Sequence, residues 1–507
     1  MKSSSRGAGV TAWASWAEYR RTEQQTLDLP AGGDLSCAFL FPADYSVGMA
    51  NLGYHYIYRA LRESGVAVER FFLTPIPYRS VERDTMLERF PLILASISYE
   101  ADILHFAQWL QQGGISPSRR TREEKGQPMI GIGGAITYIN PLPICEIADF
   151  ALLGDGIPLI PHLVGSLRNN RSRDAALRAL GEHPSFFVPQ LHIDEEKGHA
   201  KLEISRRTNL ADDYGHGTWI TPNTVFGNTL LVELQRGCIR GCRYCTLPSC
   251  FAPFRQRPVD LVHRDIARVA SDCTFEQVGL VTPEASDYEH LEQLLDFVAT
   301  LGKGVSFASL RADGLTERTI EALSSRGRKS ITIAPESGDD DLRVSCGKTF
   351  TNELILDVLA MAERHGMTNV KLYFMIGLPG ETEAHIEAIA TLCAAIKRKT
   401  KLRLNTAVSP FVPKPGTAWR NAPFEEERRL KKKYMHLANL FKRTVKETLQ
   451  PISVKEASLE YALSWGTTCA SRNIAEAGDK NGMLRELSRD IDRANTTREL
   501  RNLGLQL

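Results

Sequence analysis

No stretch of this chain reaches about 18 uncharged apolar residues, and its start, MKSSSRGAGVTAWASWAEYRR, lacks the apolar core of a signal peptide, so neither membrane insertion nor secretion is supported. A cytoplasmic location is the expectation. No sign of charge dominates either: 62 Lys and Arg nearly cancel 60 Asp and Glu, and a net charge of +2 gives no general field for phosphate backbones. Nucleic acid is therefore not an expected partner, except through a local patch. No G-x-G-x-x-G follows the first strand, which speaks against a nicotinamide-binding sheet. The 12 histidines show no H-x3-H spacing, and His55 and His105 read as core or surface residues. Disorder is excluded by 43% hydrophobic and 24% charged residues. At 507 residues the chain suits two to four domains of roughly 100–200 residues each.

Cysteine is scarce, at ten residues, and a reducing compartment favours metal ligation or catalysis over disulfides. The pattern along the chain suggests five segments. Residues 1–34 read as a leader. Residues 35–170 hold four apolar strands, in SCAFLF, LILASI, MIGI and the run from Phe150 to Leu153. Each ends in a Gly, Ser or Asn loop, the form of a doubly wound parallel sheet with ligands at its strand C-termini. Residues 171–225 show no sustained period and read as a connection. Residues 226–424 carry six strands alternating with amphipathic helices, which predicts a (β/α) barrel left open by being two strands short of eight. Residues 425–507 read as a helical C-terminal domain whose basic run is a solvated face. The expected class is α/β throughout.

The strongest signal is LVELQRGCIRGCRYC, which places Cys238, Cys242 and Cys245 in C-x3-C-x2-C spacing directly after a strand. A structural zinc site wants four ligands, usually as two pairs, and no second C-x2-C pair occurs. Three thiolates on a short loop instead suit three irons of a [4Fe–4S] cube, leaving the fourth iron without a protein ligand. Cys250 and Cys346 lie nearby and read as loop or core thiols.

This segment, with the aromatic Tyr244 between the second and third cysteines, resembles the radical S-adenosylmethionine (SAM) superfamily over residues 226–420. The resemblance implies that Cys238, Cys242 and Cys245 bind the cluster and that SAM is the second cofactor. It also implies SAM contacts at Tyr244, Glu284, Ser309, Glu336, Arg343, Gly377 and Val408. At the second strand the usual Gly-Gly-Glu is replaced by Thr282-Pro283-Glu284. An external one-electron donor of flavodoxin or ferredoxin type is implied as a partner.

The front segment, with PADYSVGMANLG after its first strand and SISYE after its second, resembles the cobalamin-binding domain fused to many radical SAM enzymes. That implies a Rossmann-like cobalamin-binding sheet with contacts at Tyr45, Ser46, Gly48, Met49, Ser98, Tyr99, Gly133, Gly134, Gly154 and Gly156. The D-x-H-x-x-G motif is missing, since Tyr45-Ser46-Val47-Gly48 follows Asp44, so no His is offered to cobalt. By this resemblance the function is transfer of a methyl group from methylcobalamin to an unactivated carbon, with a peptide or protein residue such as glutamine as one candidate substrate; no catalytic residue is assigned. The alternatives are another radical SAM chemistry, such as cyclisation or rearrangement, a methylthiotransferase-like modification of RNA or protein, and a non-catalytic corrin or cluster carrier. A methylthiotransferase would carry a second three-cysteine cluster in front, where only Cys37 and Cys145 occur.

Overall fold

The computed structural model describes residues 15–195, 201–307, 310–325, 327, 329–450, 452–476 and 491–505. A front sheet is built from β1 (Leu35–Asp44), β2 (Val66–Thr74), β3 (Leu92–Ser96), β4 (Met129–Gly133), β5 (Phe150–Leu152) and β6 (Phe186–Phe187). Their order is β2-β1-β3-β4-β5-β6, parallel except for the last pair. In such an order the crossovers reverse direction between β1 and β3, and the resulting crevice at the strand C-termini is where doubly wound sheets take ligands. Alternate residues face two cores: Phe39 and Phe41 pack on one face, Ala38 and Leu40 on the other.

Two differences from the sequence reading stand out here. The apolar pattern missed β2 because Glu69 and Arg70 interrupt it. Arg70 is buried, and its charge is met by Glu23 at 2.8 Å and Glu82 at 2.6 Å, so the strand forms despite its sequence. Likewise, the segment after 170 is not irregular: it supplies a helix, Arg173–Gly181, and the antiparallel edge strand β6.

Six further parallel strands follow: β7 (Thr229–Glu233), β8 (Gln277–Val281), β9 (Gly304–Phe307), β10 (Ser330–Glu336), β11 (Asn369–Ile376) and β12 (Arg403–Pro410). They form two sheets of three, β9-β8-β7 and β10-β11-β12, and among the described residues no ladder joins β9 to β10. Phe307 and Leu310 bridge that gap, packing against the cores of both sheets.

The first and last described segments are tied into this frame. Trp16 and Tyr19 are buried on the front sheet, and Gln24–Gln25 pairs antiparallel with Trp219–Ile220. A helix at Leu52–Glu63 (α1) follows β1, a short one at Asp340–Ser345 (α2) follows β10, and Glu427–Leu440 (α3) packs on the second sheet through Leu430 and Leu437. The last helices, Val454–Ser464 (α4), Thr468–Glu476 (α5) and Arg493–Asn502 (α6), return to the front. Leu459, Leu463, Ile474 and Leu500 belong to the same core as Ile130 and Ile144. Lys414, in the loop after β12, joins the parts: it bonds Glu100 at 2.9 Å behind β3 and Glu460 at 2.7 Å on α4. Among the described residues no helix is long and apolar enough to cross a membrane.

Candidate functional site

The three cysteines sit half-buried on the loop after β7. Burial raises the thiol pKa of Cys238, and pushes that of Cys245 up to about 11, so a metal must displace a proton to bind there. The loop is fixed by its backbone as much as by side chains. The Arg240 N–H donates to Cys238 Sγ at 3.4 Å, Arg243 N–H to the Cys346 carbonyl at 3.0 Å, and Trp419 N–H to the Arg243 carbonyl at 2.9 Å. The Arg240 guanidinium pairs with both carboxylate oxygens of Asp287 behind β8. Gly347, with φ +88°, lets the end of α2 touch the loop: a Cβ there would lie 2.4 Å from the Gly241 carbonyl oxygen. Arg311 approaches Cys242 Sγ at 3.9 Å while gripping Asp313 at 2.9 Å.

Beside the loop, Glu336 closes β10 in a left-handed conformation, φ +66°, and is buried. The Tyr244 hydroxyl donates to it at 2.7 Å and Lys348 Nζ at 2.6 Å, and Lys348 also donates to the Ala334 carbonyl at 2.7 Å. A non-glycine residue held there stores about 1–3 kcal/mol of strain, which functional sites commonly do. Burial first, and the Glu336 charge second, raise the Tyr244 pKa far out of the ordinary range. Arg343 behaves differently from expectation. All five of its donors are taken by its own chain: the carbonyls of Pro335, Phe350 and Ser337, the Asn352 amide oxygen and Asp340. It braces the Glu336 turn from behind and has no donor left for a ligand.

Glu284, behind β8, is buried, and burial raises its pKa. Its Oε1 accepts from Ser286, whereas Oε2 is buried without a partner. An orphaned carboxylate oxygen of this kind suits a cationic ligand such as the ammonium of SAM. Gly377 meets Glu425 and Leu430 rather than open space, and Val408 lies in the core of the second sheet. Ser309 lies outside the described residues.

A cavity of about 530 Å³, within the usual range for ligand sites, opens between the two halves. The front sheet lines it with small residues at strand ends, among them Ser96, Ser98, Gly133, Gly134, Gly154 and Gly156. The other wall is Glu233, Gln235, Arg236 and Gly237 before the first cysteine, Leu247 and Phe251 after the third, and Val281 to Pro283 at the end of β8. Among the described residues no histidine lines it. His55 is buried elsewhere, bonded to the Met49 carbonyl at 3.1 Å and the Thr218 N–H at 3.0 Å.

The first-loop residues do not reach this cavity. Tyr45 is buried among Trp16, Tyr19 and Phe72 and donates to Glu23 at 2.6 Å. Gly48 packs on Phe72, the Met49 sulfur accepts from Arg70 at 3.3 Å, and the Ser46 carbonyl accepts from Val225 N–H at 3.1 Å. The lining starts a turn later, at Asn51, Leu52, Gly53 and Tyr56 of α1 and its cap. Tyr99 points to solvent, 70% exposed. Sequence reasoning missed Glu233, Arg236 and Tyr56, although adjacency to the cysteine motif was a usable signal for the first two. They are linked: Arg236 reaches Glu233 at 2.8 Å, and the Tyr56 hydroxyl donates to Glu233 at 3.3 Å.

Residues 232–393 match the model of the radical SAM superfamily, and residues 53–189 that of the N-terminal part of radical SAM proteins. The chain belongs to the radical SAM superfamily. As a radical SAM protein it carries a [4Fe–4S] cluster and SAM as cofactors, and enzymes of this superfamily generally need an external electron donor. It is 27% identical over 409 residues to an uncharacterized Methanocaldococcus jannaschii protein, covering 79% of this chain and 82% of that one. A ribosomal protein uS12 methylthiotransferase from Desulforudis audaxviator is 25% identical over only 36% of this chain and 43% of its own. In fold it resembles the radical SAM methyltransferase TsrM of Kitasatospora setae, solved with cobalamin and a [4Fe–4S] cluster bound (TM-score 0.53, 13% identity, 76% of each chain). It also resembles the cobalamin-dependent SAM radical enzyme OxsB (TM-score 0.53, 16% identity, 82% of this chain and 58% of that one).

Proposed function

We propose that this radical SAM protein is a cobalamin-dependent methyltransferase acting on an unactivated carbon. One observation carries the reading: a single cavity is walled on one side by the strand ends of the front sheet and on the other by residues flanking the cysteine triplet. When bound, the cluster and SAM supply a carbon radical that removes hydrogen, and cobalamin supplies a methyl donor. The chain's own residues arrange the meeting. Cys238, Cys242 and Cys245 would hold the cluster, Glu284 Oε2 the SAM ammonium, and Tyr244 and Glu336 the neighbouring face of SAM. Ser96, Ser98, Gly133, Gly134, Gly154 and Gly156 would let the corrin approach backbone, with the cobalt free of a histidine ligand. The apolar lining from Leu52, Ile57, Leu94 and Phe251 would help a bound corrin and SAM keep water from the radical. A peptide or protein residue remains a candidate substrate, a cytoplasmic setting the expected location, and a flavodoxin or ferredoxin the proposed reductant.

The methylthiotransferase alternative loses ground on a further detail. Cys37 and Cys145 are both buried, and they belong to cores on opposite faces of the front sheet, so they cannot share a cluster. The test is anaerobic reconstitution with iron, sulfide and cobalamin, followed by labelled SAM and a reductant. The expected result is one corrin per chain, a Co(II) paramagnetic resonance spectrum without axial nitrogen splitting, and 5′-deoxyadenosine formation that stops when the three cysteines become Ala. Failure to take up corrin, or clear nitrogen splitting, would overturn the reading.

A further inference from the structure

The loop that carries the cysteines has a neck. Gln235–Arg236 pairs antiparallel with Arg255–Gln256, Arg236 opposite Arg255, so residues 237–254 form a closed excursion from β7. Two arginines facing each other at such a neck repel, and both are largely buried, with side-chain exposures of 14% and 8%. What joins them is a carboxylate from the other half of the molecule. Asp155, at the exit of β5, accepts from Arg236 at 2.6 Å and from Arg255 at 3.2 Å, and its own side chain is only 8% exposed. The Arg207 N–H donates at 2.7 Å to Oδ2, the same carboxylate oxygen that accepts from Arg255, while Arg236 takes Oδ1. Arg236 has Glu233 as an additional counter-ion, whereas Asp155 is the carboxylate that Arg255 pairs with, and Arg255 Nε is buried with no partner at all. Burial pushes the Arg255 pKa down and Asp155 opposes that shift. Asp155 also lines the cavity between Gly154 and Gly156.

We propose that Asp155 is a positioning residue that clasps the neck of the cysteine loop from the front sheet, so that cluster retention and occupancy of the cavity are coupled through one carboxylate. The coupling half rests on the reading of the cavity as a cobalamin site; the clasp itself does not. The halves are held together independently at Lys414, with Glu100 and Glu460, so loss of the clasp loosens the loop without separating them.

The experiment compares full-length wild type with Asp155→Asn, Asp155→Glu and Asp149→Asn. Asp149 is an equally buried carboxylate of the same sheet that also serves two arginines, Arg122 at 3.0 Å and Arg173 at 2.5 Å, but has no part in the cysteine loop. In cobalamin-free reconstituted protein, Asp155→Asn is expected to lose iron to a chelator on the order of ten- to a hundred-fold faster, as the loss of a charge-assisted bond implies. Asp155→Glu should recover part of this, and Asp149→Asn should keep the wild-type rate whatever it costs in melting temperature. Wild-type iron loss in Asp155→Asn, or equal acceleration in Asp149→Asn, would overturn the clasp. Should Asp155→Asn not fold, Arg255→Gln opens the same neck and is expected to show the same accelerated loss; an unchanged rate there would overturn the clasp too. For the coupling, cobalamin affinity is measured with the cluster loaded and in the triple-cysteine variant. The ratio is expected to be about fivefold or more in wild type and near unity in Asp155→Asn; an undiminished ratio would overturn it. If wild type binds no cobalamin, the coupling and the cavity reading fall together, and the iron-loss comparison alone decides the clasp.

Discussion

Replacing Gly347 by Ala should disturb the cluster while leaving the rest of the protein folded. At φ +88° a side chain costs about 1–2 kcal/mol in backbone strain. The added Cβ would also fall 2.4 Å from the Gly241 carbonyl oxygen and 3.0 Å from the Cys242 Cα, neither of which is the end of a flexible side chain. Carbon–oxygen contacts settle near roughly 3.3–3.6 Å, so the loop must retreat by about 1 Å. Crowding of this kind adds about 1–3 kcal/mol, giving a total near 2–5 kcal/mol, which a protein of this size tolerates. A displacement of about 1 Å at a reacting centre can cost on the order of 100-fold in rate. The assay is anaerobic 5′-deoxyadenosine formation with dithionite, alongside iron content and a melting curve. Gly366→Ala is the control, because its φ of +84° is equally strained while the nearest atom, Lys329 Nζ, is 3.9 Å from the added carbon. Gly347→Ala with wild-type iron and wild-type SAM cleavage would refute the argument that Gly347 seats the cysteine loop.

Arg343→Lys should cost about 3 kcal/mol of folding stability in denaturant titrations, since a buried five-donor hub is broken, yet leave SAM affinity of the folded protein close to wild type. A selective loss of SAM binding would show that Arg343 reaches the ligand after all. For Glu284 the sign follows from its raised pKa. The folded state binds this proton more tightly than the unfolded one, so the group's contribution to stability declines as pH rises from the unfolded value through the raised folded one. A bound ammonium favours the carboxylate, so SAM affinity should rise with pH over that same window. Glu284→Gln should flatten that profile and weaken SAM on the order of tenfold or more by calorimetry; a profile unchanged by the substitution would remove Glu284 from the SAM site.

The sequence made the second half of the fold readable because each of its strands is a short apolar or alternating run ended by a turn. All six strands expected between 226 and 424 are present, from Thr229–Glu233 to Arg403–Pro410. The front sheet was partly hidden, because β2 carries Glu69 and Arg70, whose partners (Arg83 for the first, Glu23 and Glu82 for the second) are distant or beyond the strand and invisible to local periodicity. The C-terminal helices looked like a separate unit for a similar reason. Their apolar faces are completed by Ile130 and Ile144, more than 300 residues earlier, and no local pattern reports that. In the site, the cysteine spacing and the glycine-rich strand ends were legible as motifs. The displacement of the lining from Tyr45–Met49 to Asn51–Tyr56 was not, because it depends on Trp16 and Tyr19 capturing Tyr45. Asp155, flanked by two predicted glycines, was passed over although its carboxylate ties the two halves together.

The central claim, that two cofactors meet in one cavity, is tested most directly by a crystal structure of the reconstituted protein with cobalamin and a SAM analogue. The account predicts corrin against Leu52, Ser96, Gly134 and Gly156, SAM beside Glu284 and Glu336, and cobalt roughly 7–10 Å from the 5′ carbon, near enough for one substrate carbon to lie between them. Corrin bound elsewhere, or separated from the SAM site by tens of ångströms in every state, would contradict it.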